Sequence, residues 1–220
     1  MNDAIEAAIA GLPEAILKRS GSVFYSGKQA FAAPNRLYVL GLNPGGVPEK
    51  RVDDTVARHI DQYLSREGSW SAYRDEPWED RAPGTHGMQP KLLHLFRKLS
   101  IDAGNVPASN VVFVRSRSEA DLYAEKAALL EACWPVHQAI IEALDVKVVL
   151  CLGGTAGAWV RSKVGANELV ETFVESNRRG WKSAAYRTNG DLVVISATHP
   201  SRADWRNPAA DPTPLIRKFL

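Results

Sequence analysis

The sequence is poor in cysteine, in long apolar runs and in surplus charge. Its 220 residues include only two cysteines, Cys133 and Cys151. Both lie in apolar surroundings, so we expect neither a disulfide framework nor an iron–sulfur cluster supplied by this chain. Such sparing use of cysteine is typical of a reducing compartment, and we expect a cytoplasmic protein. No stretch approaches the ~20 apolar residues of a membrane span, and the amino-terminal residues lack the pattern of a secretion signal.

The charge balance is close to neutral, with 27 basic and 25 acidic side chains and a net charge of +2. The sequence pI of about 8.5 permits a nucleic-acid partner without demanding one, because nucleic-acid-binding domains commonly exceed pI ~9. Hydrophobic residues make up 45% of the chain and charged residues 24%, an ordinary balance for a globular protein. A chain of this length suits one domain, so we expect residues 1–220 to form a single, monomeric unit.

Short apolar runs alternate with segments of helical spacing along most of the chain. This alternation predicts an α/β fold, arranged as three α/β/α layers with a mainly parallel central sheet. The predicted strands span residues 36–41, 110–114, 146–152, 168–174, 183–188 and 192–196. The predicted helices span residues 3–18 with a break at 11–13, then 54–65, 90–99, 121–144 and 153–163, with a short one at the end. Residues 66–90 show no period, which is typical of a functional or mobile loop.

Two polar loops follow apolar strands at distant points of the chain. Asn43-Pro44-Gly45-Gly46 comes after the first strand, and His199-Pro200-Ser201-Arg202 comes after the last. Ligands of open parallel sheets bind beyond the carboxyl ends of the strands. If these two strands are parallel neighbours, Asn43 and His199 project into one crevice. The glycines permit close approach of a substrate, and the prolines restrict the motion of each loop.

The ordered set of motifs resembles the uracil-DNA glycosylase superfamily. Residues Gly41-Leu42-Asn43-Pro44-Gly45 are similar to its first motif, in the form with Asn that the mismatch-specific and single-strand-selective classes carry. Residues His199-Pro200-Ser201 are similar to its second motif. Between them, the helix at 133–141 and the strand at 148–153 are similar to the helix-then-strand passage of the same superfamily. The resemblance covers roughly Leu37 to Arg202, in the right order.

This resemblance implies a monofunctional DNA glycosylase that acts on uracil or another deaminated or damaged base and uses no metal or cofactor. The nucleotide is extruded into a pocket, and the glycosidic bond breaks with negative charge on the departing base. His199 is expected to donate to an oxygen of that base, and Asn43 is expected to orient the attacking water. An amide cannot accept the proton at neutral pH, so slower chemistry is expected than with Asp. The pocket wall is assigned to Gly41, Leu42, Pro44 and Gly45.

The same resemblance assigns DNA-contacting residues in the loop after the last strand. Ser201 is expected to bind a phosphate, and Arg202 and Trp205 lie where the family carries the residues that wedge into the duplex. Arg115 follows a strand end and either lines a phosphate-binding face or is an ordinary solvated charge.

Recognition of the flipped base needs an aromatic platform and a polar reader. Tyr73 and Trp78, in the unpatterned stretch, are candidates for stacking on the base. Many members of the superfamily read the pyrimidine with an asparagine at the end of the central strand. With that strand at 110–114, the matching position holds Arg115 or Ser116, and Ser116 offers only a single hydrogen bond.

Several alternatives remain open from the sequence. The Asn43 loop can be a simple turn, and His199 a loop histidine without a catalytic role. Cys133 and His137, four residues apart on a helix, form either a reactive or metal-binding pair or part of the core. The chain can also be a non-catalytic nucleotide- or nucleic-acid-binding member of the fold, or a hydrolase of free nucleosides or nucleotides.

Overall fold

Six strands form one sheet in the computed structural model, which describes residues 2–66 and 68–220. The order across the sheet is β2-β1-β3-β6-β5-β4. Neighbours among β2, β1, β3 and β6 are parallel, whereas β5 is antiparallel to β6 and to β4. The predicted α/β class is confirmed, and the sheet is mixed. The strands are β1 (Leu37–Gly41), β2 (Ala108–Asn110), β3 (Val148–Leu152), β4 (Glu168–Val174), β5 (Lys182–Arg187) and β6 (Val193–Ala197).

Most helices form close to the predicted positions, although a short helix at residues 72–75 lies within the predicted loop at 66–90. Three α-helices begin at capping side chains, the one at 72–75 at Ser71. The side chain of Asn2 accepts a hydrogen bond from the N–H of Ala4, and Thr55 accepts one from Arg58. None of the helices among the described residues combines the length and apolar character of a membrane span. The helices are α1 (Asp3–Ala10), α2 (Glu14–Leu17), α3 (Val56–Ser65), α4 (Ala72–Asp75), α5 (Gln89–Leu99), α6 (Lys126–Ala143), α7 (Gly154–Val164) and α8 (Thr213–Arg217).

Two hydrophobic cores lie on opposite faces of the sheet. Successive side chains of a strand point to opposite faces, and β1 is buried on both. Tyr38 and Leu40 join the core formed with α1, α6 and α7, while Leu37 and Val39 join the core formed with α5 and α8. Helices therefore cover the sheet on both sides.

The two edges of the sheet differ. Residues 20–26 run along β2, where Phe24 pairs with Ser109 and Gly21 pairs with Val114 just beyond the strand. The opposite edge is β4, whose pairing with β5 is interrupted by an irregularity between Leu169 and Glu171. Residues 20–26 thus cover the β2 edge, whereas the pairing of the β4 edge strand is irregular.

The predicted strand at 110–114 is wrong, because β2 ends at Asn110. Residues 111–114 are fully buried, as their apolar character demands, but β1 already ends at Gly41. Beyond that point the N–H groups of Val111 and Val112 donate to the carbonyl oxygens of Gly41 and Leu42, although neither valine belongs to a strand. The run is buried in the core on the α6 side without being a sheet strand.

His137 belongs to a buried hydrogen-bond chain and not to a metal or nucleophilic pair. Its Nε2 lies 3.1 Å from the carbonyl oxygen of Val111, which only accepts, so this nitrogen carries the proton. Its Nδ1 therefore accepts from the Tyr38 hydroxyl at 2.8 Å. Burial lowers the pKa of His137 to about 4 and raises the pKa of Cys133 to about 11. The core-packing interpretation of this pair is confirmed.

Helix α7 packs against β6 through Gly157. A Cβ atom at this position would lie 2.7 Å from the Cβ of Ser196 and closer still to its hydroxyl oxygen. Only glycine permits this approach of helix and strand.

We expect Gly157→Ala to lower the free energy of unfolding by about 1–3 kcal/mol, because overpacking forces α7 away from β6. Gly154→Ala is the matched control on the same helix, since a Cβ there meets no atom within 4 Å. That change should be neutral or stabilising by up to ~1 kcal/mol. Urea unfolding followed by tryptophan fluorescence measures both. Equal midpoints for Gly157→Ala and the unmodified protein would contradict the proposed packing.

Candidate functional site

Polar side chains lie at or just beyond the carboxyl ends of three parallel strands. Asn110 is the last residue of β2, Asn43 follows β1 by two residues, and His199 follows β6 by two residues. The strands β1 and β6 are not neighbours as assumed from the sequence, because β3 lies between them. Two strand spacings separate Asn43 from His199 by about 10 Å at the level of the sheet. The turn at Gly153, which follows β3, lies between these two loops.

The orientation of the Asn43 amide is fixed by its neighbours. Its Nδ2 donates to the carbonyl oxygen of Pro44 and to the hydroxyl of Ser116, both at 2.9 Å. The Ser116 hydroxyl in turn donates to the carbonyl oxygen of Ser118 at 2.7 Å, so it must act as the acceptor toward Asn43. Both amide hydrogens are used. The Oδ1 atom has no hydrogen-bond partner among the described residues and is free to accept from water.

Ser116 is a positioning residue for the Asn43 amide. It is 5% exposed, and its hydroxyl is occupied by Asn43 and by Ser118. The expectation that Ser116 contacts the base stays a prediction, and the contacts of its hydroxyl are to Asn43 and Ser118. Its role is to hold the Asn43 amide in one orientation.

Asn110 is the residue that sequence reasoning missed. It is 7% exposed, and its side-chain amide has no hydrogen-bond partner among the described residues. A Cβ on Gly41 would lie 2.1 Å from the Asn110 Oδ1, so the amide lies directly against the Cα of Gly41. Its nitrogen and oxygen are not among the buried side-chain atoms that lack a partner, so both reach solvent. Its donor and acceptor are available to a ligand at the carboxyl edge of the sheet.

His199 is held as a neutral donor. Its Nδ1 accepts the N–H of Ser201 at 3.0 Å, which leaves the proton of the neutral ring on Nε2. Burial lowers the pKa of His199, and the positive charges of Lys91 and Arg202 lower it further. The ring lies over Gly153, where a Cβ would come within 3.5 Å of it and where φ is +110°. The positive φ favours glycine there, whereas a Cβ would make only an ordinary contact with the ring.

An aromatic cluster lies beside the same edge of β2. Tyr25 stacks on Tyr73 with ring centroids 5.7 Å apart, and Trp78 meets both rings edge-on. Tyr73 is buried, so it supports the cluster, whereas Tyr25 and Trp78 remain half-exposed. Trp78 also donates a hydrogen bond to Glu76, whose pKa is raised by burial. Tyr25 and Glu76 were not identified from the sequence, since neither carries a motif.

Arg115 holds the loop after β1. Its Nη1 donates to the carbonyl oxygen of Gly45 at 2.5 Å, and its Nε donates to the Ser20 hydroxyl at 3.2 Å. A cleft of about 250 Å³ opens beside it, and neither Asn43 nor His199 is among its lining residues. That cleft is therefore not the candidate site. It is lined by Arg19, Pro48, Glu49, Arg115, Ser116, Arg117, Asp121, Leu122 and Glu125.

The loop after β6 exposes some of its predicted DNA-contacting residues and buries one. Ser201 and Arg202 are exposed. Trp205 is fully buried, and its indole N–H donates to the carbonyl oxygen of Thr198 at 3.0 Å. A side chain in that position anchors the loop, so the expectation that Trp205 wedges into DNA is wrong for this arrangement. Of Arg202 and Trp205, the two residues expected to wedge into the duplex, only Arg202 has an exposed side chain.

Comparison with known proteins assigns no family to this chain. Neither protein-family models nor curated proteins give a match to this chain. Over residues 2–66 and 68–220, no three His, Cys, Asp or Glu side chains are grouped to hold a metal ion.

We expect the His199 ring to be neutral at pH 7 with its proton on Nε2, since Ser201 occupies Nδ1. Two-dimensional ¹H–¹⁵N NMR of the imidazole nitrogens identifies the tautomer and follows the titration. The pKa should lie below the ordinary 6.5, and Lys91→Met should raise it part of the way back because one nearby positive charge is removed. A proton found on Nδ1, or a pKa above 6.5, would contradict this geometry.

Proposed function

We propose that the protein is a DNA base-excision glycosylase that hydrolyses the N-glycosidic bond of uracil, or of another deaminated base, flipped into the carboxyl edge of the sheet. The supporting observation is that a free amide oxygen, an unpartnered amide and an imidazole N–H all lie at or just beyond the carboxyl ends of the parallel strands. They belong to Asn43, Asn110 and His199. We further propose that the parallel strands β2, β1, β3 and β6 are the uracil-DNA-glycosylase-like part of the fold.

Asn43 orients the attacking water. Both hydrogens of its amide are held by Pro44 and Ser116, so Oδ1 points to one place and accepts a water O–H. The amide takes no proton, so it only positions the water. As the water adds to the sugar, it loses its proton to the departing base anion or to solvent. An oxocarbenium-like sugar needs little help from the nucleophile, which makes a positioned water sufficient at a modest rate.

His199 stabilises the departing base. Negative charge collects on the base as the glycosidic bond breaks, and the Nε2–H donates to an oxygen that carries part of it. Lys91, whose Nζ bonds the carbonyl oxygen of Pro200 at 2.5 Å, adds a positive charge beside the ring. Burial and the same positive charges disfavour the imidazolium, so the ring donates as a neutral imidazole. The N–H of a neutral imidazole is too weak an acid to transfer its proton to the base, so it stabilises the negative charge through the hydrogen bond alone.

Asn110 reads the base. Uracil presents an N–H donor beside a carbonyl acceptor, and an amide supplies the matching acceptor and donor. The side chain is nearly buried and has no protein partner, so a base that lacks this pattern leaves it unpaired. Discrimination by unpaired buried polar groups can be large.

Excision of uracil from DNA should depend on Asn43 and His199. We expect Asn43→Ala and His199→Ala each to lower the excision rate by about 10²–10³-fold, as loss of a preorganised transition-state contact does. The assay uses labelled single- and double-stranded oligonucleotides that carry uracil, hypoxanthine or xanthine, with alkali cleavage of abasic sites. The Gly154→Ala protein serves as control and should excise normally.

Other outcomes of this assay separate the alternatives. Salt-sensitive binding to DNA without abasic sites would replace the proposal with a non-catalytic binding protein. Release of base from free nucleosides alone would replace it with a nucleoside hydrolase.

Gly41→Ala should displace the Asn110 amide without altering Asn110 itself, because the new Cβ occupies the space of Oδ1. The amide is a flexible side-chain end, so the fold tolerates the change. We expect uracil excision to fall by about tenfold, equivalent to one lost hydrogen bond to the base. Gly154→Ala, at the same edge of the sheet but in open space, is again the matched control. Unchanged excision by Gly41→Ala would show that Asn110 does not read the base.

A further inference from the structure

The hairpin that joins β4 to β5 lies at the same edge of the sheet as His199. Because β5 is antiparallel to β6, with Ala184 opposite Ser196, its first residues lie beside the carboxyl end of β6. Strand β4 ends opposite the start of β5, where Val174 pairs with Lys182. Residues 175–181, here called the hairpin loop, therefore lie one to two strand spacings from the end of β6, within about 10 Å of it.

The hairpin loop is joined to the loop that follows β6. The Arg179 Nη1 donates to the carbonyl oxygen of Arg202 at 2.6 Å. The N–H of Ser176 donates to the carbonyl oxygen of Ala209 at 2.9 Å. The two loops thus form one continuous surface beside His199.

The shape of the hairpin loop is fixed by a buried carboxylate. Glu175 is 3% exposed, and its Oε2 accepts from Arg179 at 2.9 Å and from Asn177 at 2.7 Å. The Arg179 guanidinium also lies 4.3 Å over the ring of Trp181. Arg179 is therefore occupied within the protein, and the adjacent Arg178 is exposed.

This surface carries uncompensated positive charge. The hairpin loop and residues 199–207 hold four basic side chains against two carboxylates. Both carboxylates are already paired, Glu175 with Arg179 and Asp204 with Arg206. Arg178 and Arg202 are exposed, and neither guanidinium has a hydrogen-bond or ion-pair partner among the described residues.

We propose that the hairpin loop is a second DNA-binding element, in which Arg178 binds a backbone phosphate on one side of the flipped nucleotide. A separation of about 10 Å corresponds to roughly three nucleotides of a strand that rises ~3.4 Å per nucleotide. Arg202 binds the backbone nearer to the flipped nucleotide. This inference rests on the proposed function for the position of the nucleotide, but the binding itself requires no excision.

The test measures binding without chemistry. A fluorescent duplex of about 20 base pairs carries a reduced abasic site, which has no glycosidic bond to hydrolyse, and is titrated at salt from ~50 to ~200 mM. We expect Arg178→Gln to weaken binding by about fivefold and to reduce the salt slope by about one phosphate contact. Arg187→Gln is the matched control, an exposed arginine at the opposite end of β5, and should leave affinity and slope unchanged.

Trimming the duplex adds a second measurement. The effect of Arg178→Gln should vanish once fewer than about three nucleotides remain on one side of the abasic site. Equal affinity of Arg178→Gln and Arg187→Gln, or an absence of DNA binding by the unmodified protein, overturns the inference. If Arg178→Gln weakens DNA binding but the protein excises no base, the inference is supported and the proposed function fails. If the protein excises bases but Arg178→Gln binds DNA normally, the proposed function is supported and the inference fails.

Discussion

Parallel pairing of β2, β1, β3 and β6 is the constraint on which the candidate site depends. Leu150 of β3 lies opposite Val39 on one side and Ile195 on the other, so the neighbouring strands of this group finish at nearly the same level. Each strand is buried on both faces, and a slip of one residue would exchange the two cores. The register is therefore strongly fixed. The loops that leave these strands inherit that precision, which places residues 43, 110 and 199 at the carboxyl ends of the parallel strands despite their distance in the sequence.

Much of the fold could be predicted from the sequence, because fully apolar strands and helical spacing are local signals. The strand at 168–174 and the helix at 90–99 were predicted to within a residue. The mixed character of the sheet could not be predicted, since strand direction depends on which neighbours pair. The run at 110–114 shows a second limit. Burial demands an apolar sequence whether or not a partner strand exists, so the pattern alone cannot mark where β2 ends.

Site residues that lie in loops of distinctive composition could be predicted from the sequence. Site residues whose role depends on tertiary packing could not. Asn43 and His199 stand out as polar residues beside proline and glycine after apolar strands. Asn110 did not, because it opens an apolar run and its importance depends on the glycine across the strand pair. The misplaced strand end also assigned the reading role to Ser116. The burial of Trp205 and the proton position on His199 depend on single hydrogen bonds that no sequence pattern encodes.

The two edge strands of the sheet differ in how readily each can pair with a strand from a second molecule of this protein. Exposed edge strands can recruit further strands into aggregates or swapped dimers. Residues 20–26 close the β2 edge, so only β4 offers free backbone groups among the described strands. The irregularity between Leu169 and Glu171 interrupts the pairing of that strand, and Glu168 and Glu171 set negative charge along it. An approaching strand of a second molecule meets an irregular and charged segment, which makes fibrillar stacking through the exposed Leu169 and Val174 unfavourable.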